Sequence, residues 1–392
     1  MEGLAYLVKV MPDHNQNRYY KMIQQGDYFK IEMGRVGARP VTLKRPMALW
    51  DTTFHKKLSE GYVDRAKYCD TAYRNEMQER ISAIQDQDTR RLWKDLVLYA
   101  NMLLVSEYTV HYTEVSRQMV ETAQSLIDRM LAENNIDRFN GLLMELFQVI
   151  PRKMHNVQEK LAKDIKDFLP ILEREQELLD VMESQVITGE PEEETEDLLI
   201  HLGLDVRKCT QKEWEGIIQH MSDDTRHLCK RAWRIKNRRT EERFHEYRRK
   251  NGIHKKEIHS LFHGSRNANY YGLLSQGPKL NMGSPNGHLF GMGLYFATNS
   301  AKSIRYTSTG GYNLYCRENM PTSYLAVYKV AYRNPLHVNW PTDAMSQWRK
   351  KDILPHDAVF AHGGNGSYLV NNEIIVYDEA AVTIKYLLEL EK

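Results

Sequence analysis

The sequence is poor in cysteine and lacks long apolar runs, and each shortage argues against a class of protein. Its four cysteines, Cys69, Cys209, Cys229 and Cys316, include no C-x-x-C pair, which argues against a zinc ribbon and a disulfide framework. No run of about 18 apolar residues occurs, and the amino-terminal MEGLAYLVKVMPDH lacks the pattern of a signal peptide. We expect a soluble intracellular protein without a membrane partner and without a metal.

The sequence also lacks an excess of charge of either sign. Lysine and arginine total 54, against 52 for aspartate and glutamate, so any site for a polyanion must be a local patch. The most basic segment is 225–256, which contains thirteen lysines and arginines but only three glutamates. Two interpretations stay open for it: the solvated basic faces of a strand and a helix, or a surface that binds a polyanion.

Common nucleotide and hydrolase motifs are missing as well. The segment Gly291-x-Gly293-x-x-Phe296 has phenylalanine where a dinucleotide-binding fingerprint needs its third glycine, and no βαβ pattern follows it. The sequence contains no G-x-x-x-x-G-K-[ST] loop, no H-E-x-x-H and no G-x-S-x-G. These absences argue against a Rossmann dehydrogenase, a P-loop NTPase, a zinc protease and a serine hydrolase.

Residues 1–80 are predicted to form a small β-rich module. Apolar residues alternate through LAYLVKV and RYYKMIQQGDYFKIEMGRVG, with turn signals at Gly26-Asp27 and Gly34, which is typical of an antiparallel sheet. A helix is predicted over residues 46–58. Its apolar face would consist of Leu49, Trp50 and Phe54.

Residues 88–186 are predicted to form an all-helical bundle. Glycine almost disappears here, and apolar residues recur at steps of three and four, as one buried helix face requires. The clearest example is Val115, Met119, Ala123, Leu126 and Met130. Pro151 is predicted to end one helix and Pro170 to kink or break another. The acidic run at 190–194 is predicted to be an exposed linker.

Residues 198–392 are predicted to form a strand-rich domain with three fragments that can carry chemistry. In LFHGSR (261–266) a strand runs into a histidine, a glycine and a serine. In FGMGLYFATNSAKSIRY, two glycines precede Tyr295, and 301–306 is predicted to start a helix capped by Thr298-Asn299-Ser300. Ser303 and Tyr306 would share one face and grip a flat, amide-bearing ring. The alternative is a core tyrosine beside a surface serine.

The third fragment, NNEIIVYD, sets a carboxylate at the start of an apolar strand. Alternation places Glu373, Ile375 and Tyr377 on one strand face. A buried carboxylate must be paired or functional, because an unpaired buried charge is costly. A salt bridge at the rim of the strand is the alternative interpretation.

In their order and separations, the three fragments resemble the catalytic domain of the poly(ADP-ribose) polymerase family, the diphtheria-toxin-like ADP-ribosyltransferases. Together they supply that family's His-Tyr-Glu triad as His263, Tyr295 and Glu373. Upstream, FQVIPRKM resembles the family's autoinhibitory helical domain, and EMGRVG (32–37) resembles its WGR domain. The resemblance implies a multidomain α+β protein: a WGR-like antiparallel β module (1–80), a helical regulatory bundle (88–186) and a transferase domain on a split antiparallel sheet (198–392).

The resemblance also implies that NAD is a substrate, consumed rather than reduced. The Gly264 backbone and the Ser303 hydroxyl would hold the nicotinamide carboxamide, while Tyr306 and Tyr295 sandwich its ring. Glu373 would bond to the 2′-hydroxyl of the nicotinamide ribose. The remaining implied contacts with NAD are Lys302 and, on the adenosine ribose, His263 as an imidazole donor with Ser265 and Asn269.

The residue types suit that chemistry. Breaking the nicotinamide glycosidic bond places positive charge on a ribose carbon, and a carboxylate stabilises such a state. Nicotinamide leaves as a neutral molecule, so one carboxylate suffices, and Glu373 can also orient or deprotonate the incoming nucleophile. The acceptor would be a protein side chain, including the enzyme's own, or an ADP-ribose hydroxyl.

In the WGR-like segment, Met33 stands where the family has tryptophan. The family's WGR domain binds DNA near a break, with the tryptophan stacked at the DNA end, and methionine has no flat face for stacking. The candidate phosphate contacts are Arg35, Arg39, Lys44 and Arg45, which a solvated surface explains equally well. If a helical bundle covers the NAD cleft until DNA docks, DNA would activate transfer. The implied location is nuclear in a eukaryote and nucleoid-associated in a bacterium.

Three alternative functions stay open. They are a mono-ADP-ribosyltransferase, an NAD glycohydrolase that uses water as its acceptor, and a non-catalytic DNA-binding scaffold. The intact triad argues against the scaffold.

Overall fold

The computed structural model describes residues 4–11, 16–35, 41–64, 73–110, 112–154, 156–187, 197–280, 289–309 and 318–392. Several residues named above lie outside these ranges: the last two residues of EMGRVG (36–37), Arg39, Cys69, Cys316 and the acidic run at 190–194. The chain divides into two compact units, Met1–Glu76 with Asn101–Gly189, and Met77–Ala100 with Glu190–Lys392. The division into three domains stays a prediction.

The first unit begins with a small antiparallel sheet, as the alternating pattern predicts. Its strands are β1 (Leu4–Met11), β2 (Gln16–Gln25), β3 (Tyr28–Arg35), β4 (Val41–Pro46) and β5 (Val63–Asp64), in the order β4-β3-β2-β1-β5. The turn between β2 and β3 contains Gly26 at φ 64°, a conformation that glycine adopts without steric cost. The turn predicted at Gly26-Asp27 is therefore confirmed.

The helix between β4 and β5 starts later than predicted. Helix α1 spans Trp50–Ser59, because Pro46 ends β4 and the next three residues form a 3-10 turn. Trp50 packs edge-on against Phe29, with ring centroids 5.2 Å apart, and Phe54 joins the same core. Leu49 is 44% exposed, so its predicted place on the apolar face is wrong.

Five further α-helices follow before residue 188 in the described part of the chain. They are α2 (Tyr73–Ala83), α3 (Gln87–Glu107), α4 (Arg117–Leu131), α5 (Ile136–Val149) and α6 (Phe168–Ile187). Helix α4 buries Met119, Ala123, Leu126 and Met130 on one face, as predicted. Helix α5 ends two residues before Pro151, again as predicted. Pro170 does not kink or break a helix, because it lies in the first turn of α6, where a backbone N–H has no helical partner.

The second unit contains a nine-stranded sheet and short helices. The strands are β6 (Leu204–Lys208), β7 (Cys229–Asn237), β8 (Ile258–Gly264), β9 (Leu294–Ala297), β10 (Thr322–Ala331), β11 (Pro335–Val338), β12 (Ala358–Ala361), β13 (Glu373–Val376) and β14 (Val382–Glu391). The helices are α7 (Leu198–His201), α8 (Gln211–His220), α9 (Arg238–Lys250), α10 (Tyr270–Ser275) and α11 (Ser300–Ile304). The basic segment 225–256 thus contains the predicted strand and helix.

The large sheet is split between β8 and β9. The strand order is β11-β12-β13-β9-β8-β10-β14-β7-β6. Among the described residues, β8 and β9 share the single pair Phe262–Ala297, whereas β9 pairs with β13, and β8 with β10, along their lengths. β11 and β12 are parallel, so the sheet is mixed and not purely antiparallel as predicted.

The first half of α3 belongs to the second unit and is held there by a buried carboxylate. Glu389 of β14 is fully buried and accepts hydrogen bonds from Arg91 of α3 at 2.7 Å and from Arg231 of β7 at 2.6 Å. Two cations therefore balance one buried charge, as burial of a carboxylate requires. Within the described ranges, no helix is long and apolar enough to cross a bilayer.

Candidate active site

His263 lies near the end of β8, at the split in the sheet. Its Nδ1 is 3.0 Å from the carbonyl oxygen of Tyr295 in β9. A carbonyl oxygen can only accept, so Nδ1 carries the proton. Burial lowers the pKa of His263, which keeps the ring neutral near pH 7. Nε2 is then an acceptor, which differs from the imidazole donor predicted from the sequence.

Tyr295 is fixed by the turn that precedes β9. Its hydroxyl donates to the Gly291 carbonyl at 2.7 Å and accepts from the Phe290 N–H at 3.1 Å. Gly291 has φ 87°, so the predicted glycine turn is present. Burial raises the pKa of Tyr295, and the nearby Tyr377 phenol and Glu373 carboxylate raise it further. The phenol therefore stays neutral and lies within electrostatic reach of Glu373.

Gly264 and Ser303 are packed together at the end of β8. A Cβ on residue 264 would lie 1.8 Å from the Ser303 carbonyl oxygen, so glycine is required for this approach. Ser303 is 4% exposed, which rules out a surface serine. Helix α11 ends at Ile304, earlier than predicted, and Tyr306 follows in a turn whose N–H donates to the Ser303 carbonyl at 3.1 Å.

The other two predicted ribose contacts lie in the turn after β8. The Asn269 side-chain amide donates to the Ser265 hydroxyl at 3.0 Å, and both residues are partly exposed. Tyr270 anchors this turn from below, because its hydroxyl donates to the Tyr324 carbonyl at 2.7 Å. The structure thus brings Ser265 and Asn269 together, close along the chain to His263.

Glu373 opens β13 and is both buried and paired. It is 8% exposed, and its Oε1 lies 2.9 Å from Nζ of Lys302. Burial raises the pKa of Glu373, and the Lys302 ammonium works against that rise. In the sheet register Glu373 pairs with Ala297, and Ile375 pairs with Tyr295. The strand that carries Glu373 therefore borders the strand that carries Tyr295.

The candidate DNA contacts lie on the small sheet. Lys44 and Arg45 are exposed neighbours on β4, and Nζ of Lys44 is 4.6 Å from the centroid of the Tyr28 ring. The backbone of Arg35 ends β3 opposite Arg18, and Arg39 lies outside the described residues. Met33 is partly buried and packs against the core of the sheet, so part of its side chain is used for packing.

The second unit therefore combines a buried carboxylate, a lysine, a neutral imidazole, a neutral phenol and a buried serine around one split in a sheet. Such a set can stabilise a developing positive charge through Glu373 and can hydrogen-bond hydroxyl and amide groups. In the part of the chain that the structure describes, no group of three or more histidine, cysteine or acidic side chains could hold a metal.

Two features of the site were not predicted. Lys302 was expected among the NAD contacts, but its pairing with Glu373 was not, because the two residues are distant in the sequence. Asn299 and Ser300 were expected only as helix caps, although both bond to the turn at 222–225. Sequence spacing carries no information about either contact.

Comparison with known proteins gives a family match over the same region. Residues 211–392 match the family model described as the poly(ADP-ribose) polymerase catalytic domain. The chain is 30% identical over 191 residues to uncharacterized protein 101L of Invertebrate iridescent virus 6, which covers 47% of this chain and 79% of the viral protein.

Named relatives match over a shorter stretch. The chain is 31% identical over 156 residues to poly [ADP-ribose] polymerase of Drosophila melanogaster, and 32% identical over 164 residues to poly [ADP-ribose] polymerase 1 of Gallus gallus. Each alignment covers 35% of this chain but only 16% and 15% of those relatives. The matched region is therefore only a small part of each named relative.

Proposed function

Because the chain belongs to the poly(ADP-ribose) polymerase family through its carboxy-terminal NAD+ ADP-ribosyltransferase domain, we propose that it transfers ADP-ribose from NAD to protein side chains, its own included, and releases nicotinamide. The observation that carries this proposal is Glu373, a buried carboxylate paired with Lys302 beside the strand of Tyr295. A buried carboxylate in that position suits an oxocarbenium-like ribose.

The residues present suit NAD as the substrate. Ser303 and the Gly264 backbone would hold the nicotinamide carboxamide, and Tyr295 and Tyr306 would enclose its ring. Neutral His263 would accept a hydrogen bond from an adenosine-ribose hydroxyl through Nε2, with Ser265 and Asn269 beside it. Glu373 would hydrogen-bond the nicotinamide-ribose hydroxyl, stabilise the charge that develops as nicotinamide leaves, and then orient the acceptor.

Polymer extension and activation by DNA are the finer parts of the proposal. The support for DNA activation is the exposed basic pair Lys44 and Arg45 on a small antiparallel sheet, followed by a helical region. DNA docked on that sheet would activate transfer by shifting the population of two states of the helical region. We propose a nuclear location in a eukaryotic cell, or a nucleoid-associated one in a bacterium.

In the deciding experiment, the purified full chain is incubated with labelled NAD, with and without nicked or blunt-ended DNA. The products are then separated on a denaturing gel. A DNA-dependent ladder on the protein supports a DNA-activated polymerase, and one sharp band supports mono-transfer. Free ADP-ribose without labelled protein supports an NAD glycohydrolase. Intact NAD under both conditions contradicts the proposal and favours a non-catalytic scaffold.

A further inference from the structure

The loop that follows α8 is bonded to both sides of the split in the large sheet. It runs from His220, the last residue of α8, to Thr225, and we call residues 220–225 the connector. We propose that the connector is a clamp that positions α11, and that Ser222, Thr225 and Ser300 are positioning residues for the nicotinamide side of the site. This inference rests on the proposed function.

On one side the connector holds the start of α11. The Ser222 N–H donates to the Ser300 hydroxyl at 2.8 Å, and the Ser222 hydroxyl donates to the side-chain oxygen of Asn299 at 2.8 Å. The hydroxyls of Thr225 and Ser300 share a hydrogen bond of 2.7 Å. Ser300 is fully buried and Thr225 is 7% exposed, so water cannot readily replace these bonds.

On the other side the connector holds β8. Nε2 of His220 lies 2.9 Å from the Ser260 carbonyl oxygen, and the His220 ring stacks on Phe262, with centroids 4.8 Å apart. Phe262 forms the single residue pair that joins β8 to β9 within the described sheet. The connector therefore bridges the two halves of the sheet next to His263.

Helix α11 needs such an anchor. It has five residues, and a helix of this length is not stable by itself. It carries Lys302, which pairs with Glu373, and Ser303, which packs on Gly264. A shift at its amino-terminal end would displace the Ser303 hydroxyl from the nicotinamide carboxamide.

Ser300→Ala removes the hydroxyl at the centre of the clamp and touches no proposed NAD contact. We expect the inhibition constant of nicotinamide and the KM for NAD to rise together, by about tenfold, as for the loss of a buried hydrogen-bonded group. The value of kcat should change much less, because bound NAD holds Ser303 in place at saturation. Thr225→Val should act in the same direction, and Thr225→Ser, which keeps the hydroxyl, should restore wild-type values.

Thr240→Val is the matched control. The Thr240 hydroxyl is also buried and shares a 2.8 Å hydrogen bond with the Thr383 hydroxyl, but it joins α9 to β14. This variant should lower the melting temperature about as much as Thr225→Val does and leave the nicotinamide inhibition constant unchanged. A merely structural role for the clamp predicts that both valine variants behave alike.

An unchanged nicotinamide inhibition constant in Ser300→Ala and Thr225→Val, or an equal rise in Thr240→Val, would overturn the inference. If the wild-type chain turns over no NAD, the proposed function is contradicted. The clamp can still be tested in the same variants, because calorimetry measures the dissociation constant of nicotinamide without turnover. If the wild-type chain binds no nicotinamide either, both are overturned.

Discussion

Nζ of Lys302 in α11 lies 2.9 Å from Oε1 of Glu373 in β13. The lysine also donates to the Asn371 carbonyl at 3.3 Å, so two bonds hold the ammonium at the start of the strand. Burial raises the pKa of Glu373 and the ammonium opposes that rise. The Lys302 ammonium therefore favours the ionised form of a buried carboxylate where the proposed chemistry needs a negative charge.

Glu373→Gln is predicted to abolish ADP-ribosyl transfer. The amide keeps the size of the side chain and can still hydrogen-bond a ribose hydroxyl, but it cannot stabilise a positive ribose carbon or take a proton. We expect kcat to fall by at least about 10²–10³-fold, while the dissociation constant of NAD, measured by calorimetry, changes little. Glu379→Gln, which alters a partly exposed partner of Arg243, is the control. Near-normal turnover in Glu373→Gln would remove the assigned role.

Lys302→Met is predicted to move the acid limb of the activity profile to higher pH. The proposed mechanism requires ionised Glu373, so activity should be lost as pH falls through the pKa of that carboxyl, which burial already raises. Removing the ammonium removes the group that lowers this pKa, and the midpoint of the acid limb must rise. The measurement is kcat/KM against pH. Lys329→Met, which breaks the 2.6 Å pair with Glu241, should leave the limb in place; an unmoved limb in Lys302→Met contradicts the pairing.

Much of the fold was predictable where the spacing of the apolar residues and the turn residues indicate the same element. Alternation gave the strands of the small sheet, and the three- and four-residue steps gave the buried face of α4. One of the errors came from a proline. Pro170 was predicted to disrupt a helix, yet it lies in the first turn of α6, where it costs nothing. Position within the element, and not the residue type, decided its effect.

The residues of the candidate site were easier to predict from the sequence than the contacts between them. His263, Tyr295 and Glu373 could be named from the sequence, and the structure puts their strands side by side. The pairing of Lys302 with Glu373 and the clamp on Ser300 depend on segments that meet only after folding. The sequence also could not show which nitrogen of His263 carries the proton, because that depends on the contact between Nδ1 and the Tyr295 carbonyl oxygen.

A double substitution, Lys44→Ala with Arg45→Ala, is predicted to weaken the proposed binding of DNA through phosphate contacts. Both side chains are exposed on β4. We expect the slope of log K against log salt to become shallower by about two, since each phosphate contact contributes about 0.9. The measurement is fluorescence anisotropy with a nicked duplex at several salt concentrations.

The matched control for this DNA experiment is Lys255→Ala with Lys256→Ala, which removes the same charge from an exposed turn of the second unit. Its slope should equal that of the wild type. A shallower slope in the control, with no change in the β4 variant, would move the DNA surface to the basic segment 225–256 and contradict the WGR-like assignment.

Gly264→Ala is predicted to damage the nicotinamide side of the site more than its small size suggests. The added methyl group would overlap the Ser303 carbonyl oxygen, 1.8 Å away, so β8 and α11 must separate. We expect overpacking to cost about 1–3 kcal/mol, to lower the melting temperature by several degrees, and to raise the KM for NAD by at least about tenfold. Gly216→Ala in α8 is the matched control, because nothing lies within 4 Å of the new Cβ and alanine favours a helix by up to about 1 kcal/mol. If Gly264→Ala is destabilised but keeps the wild-type KM for NAD, α11 can move away from β8 without disturbing the pocket. That outcome would contradict the assigned contact between Ser303 and nicotinamide.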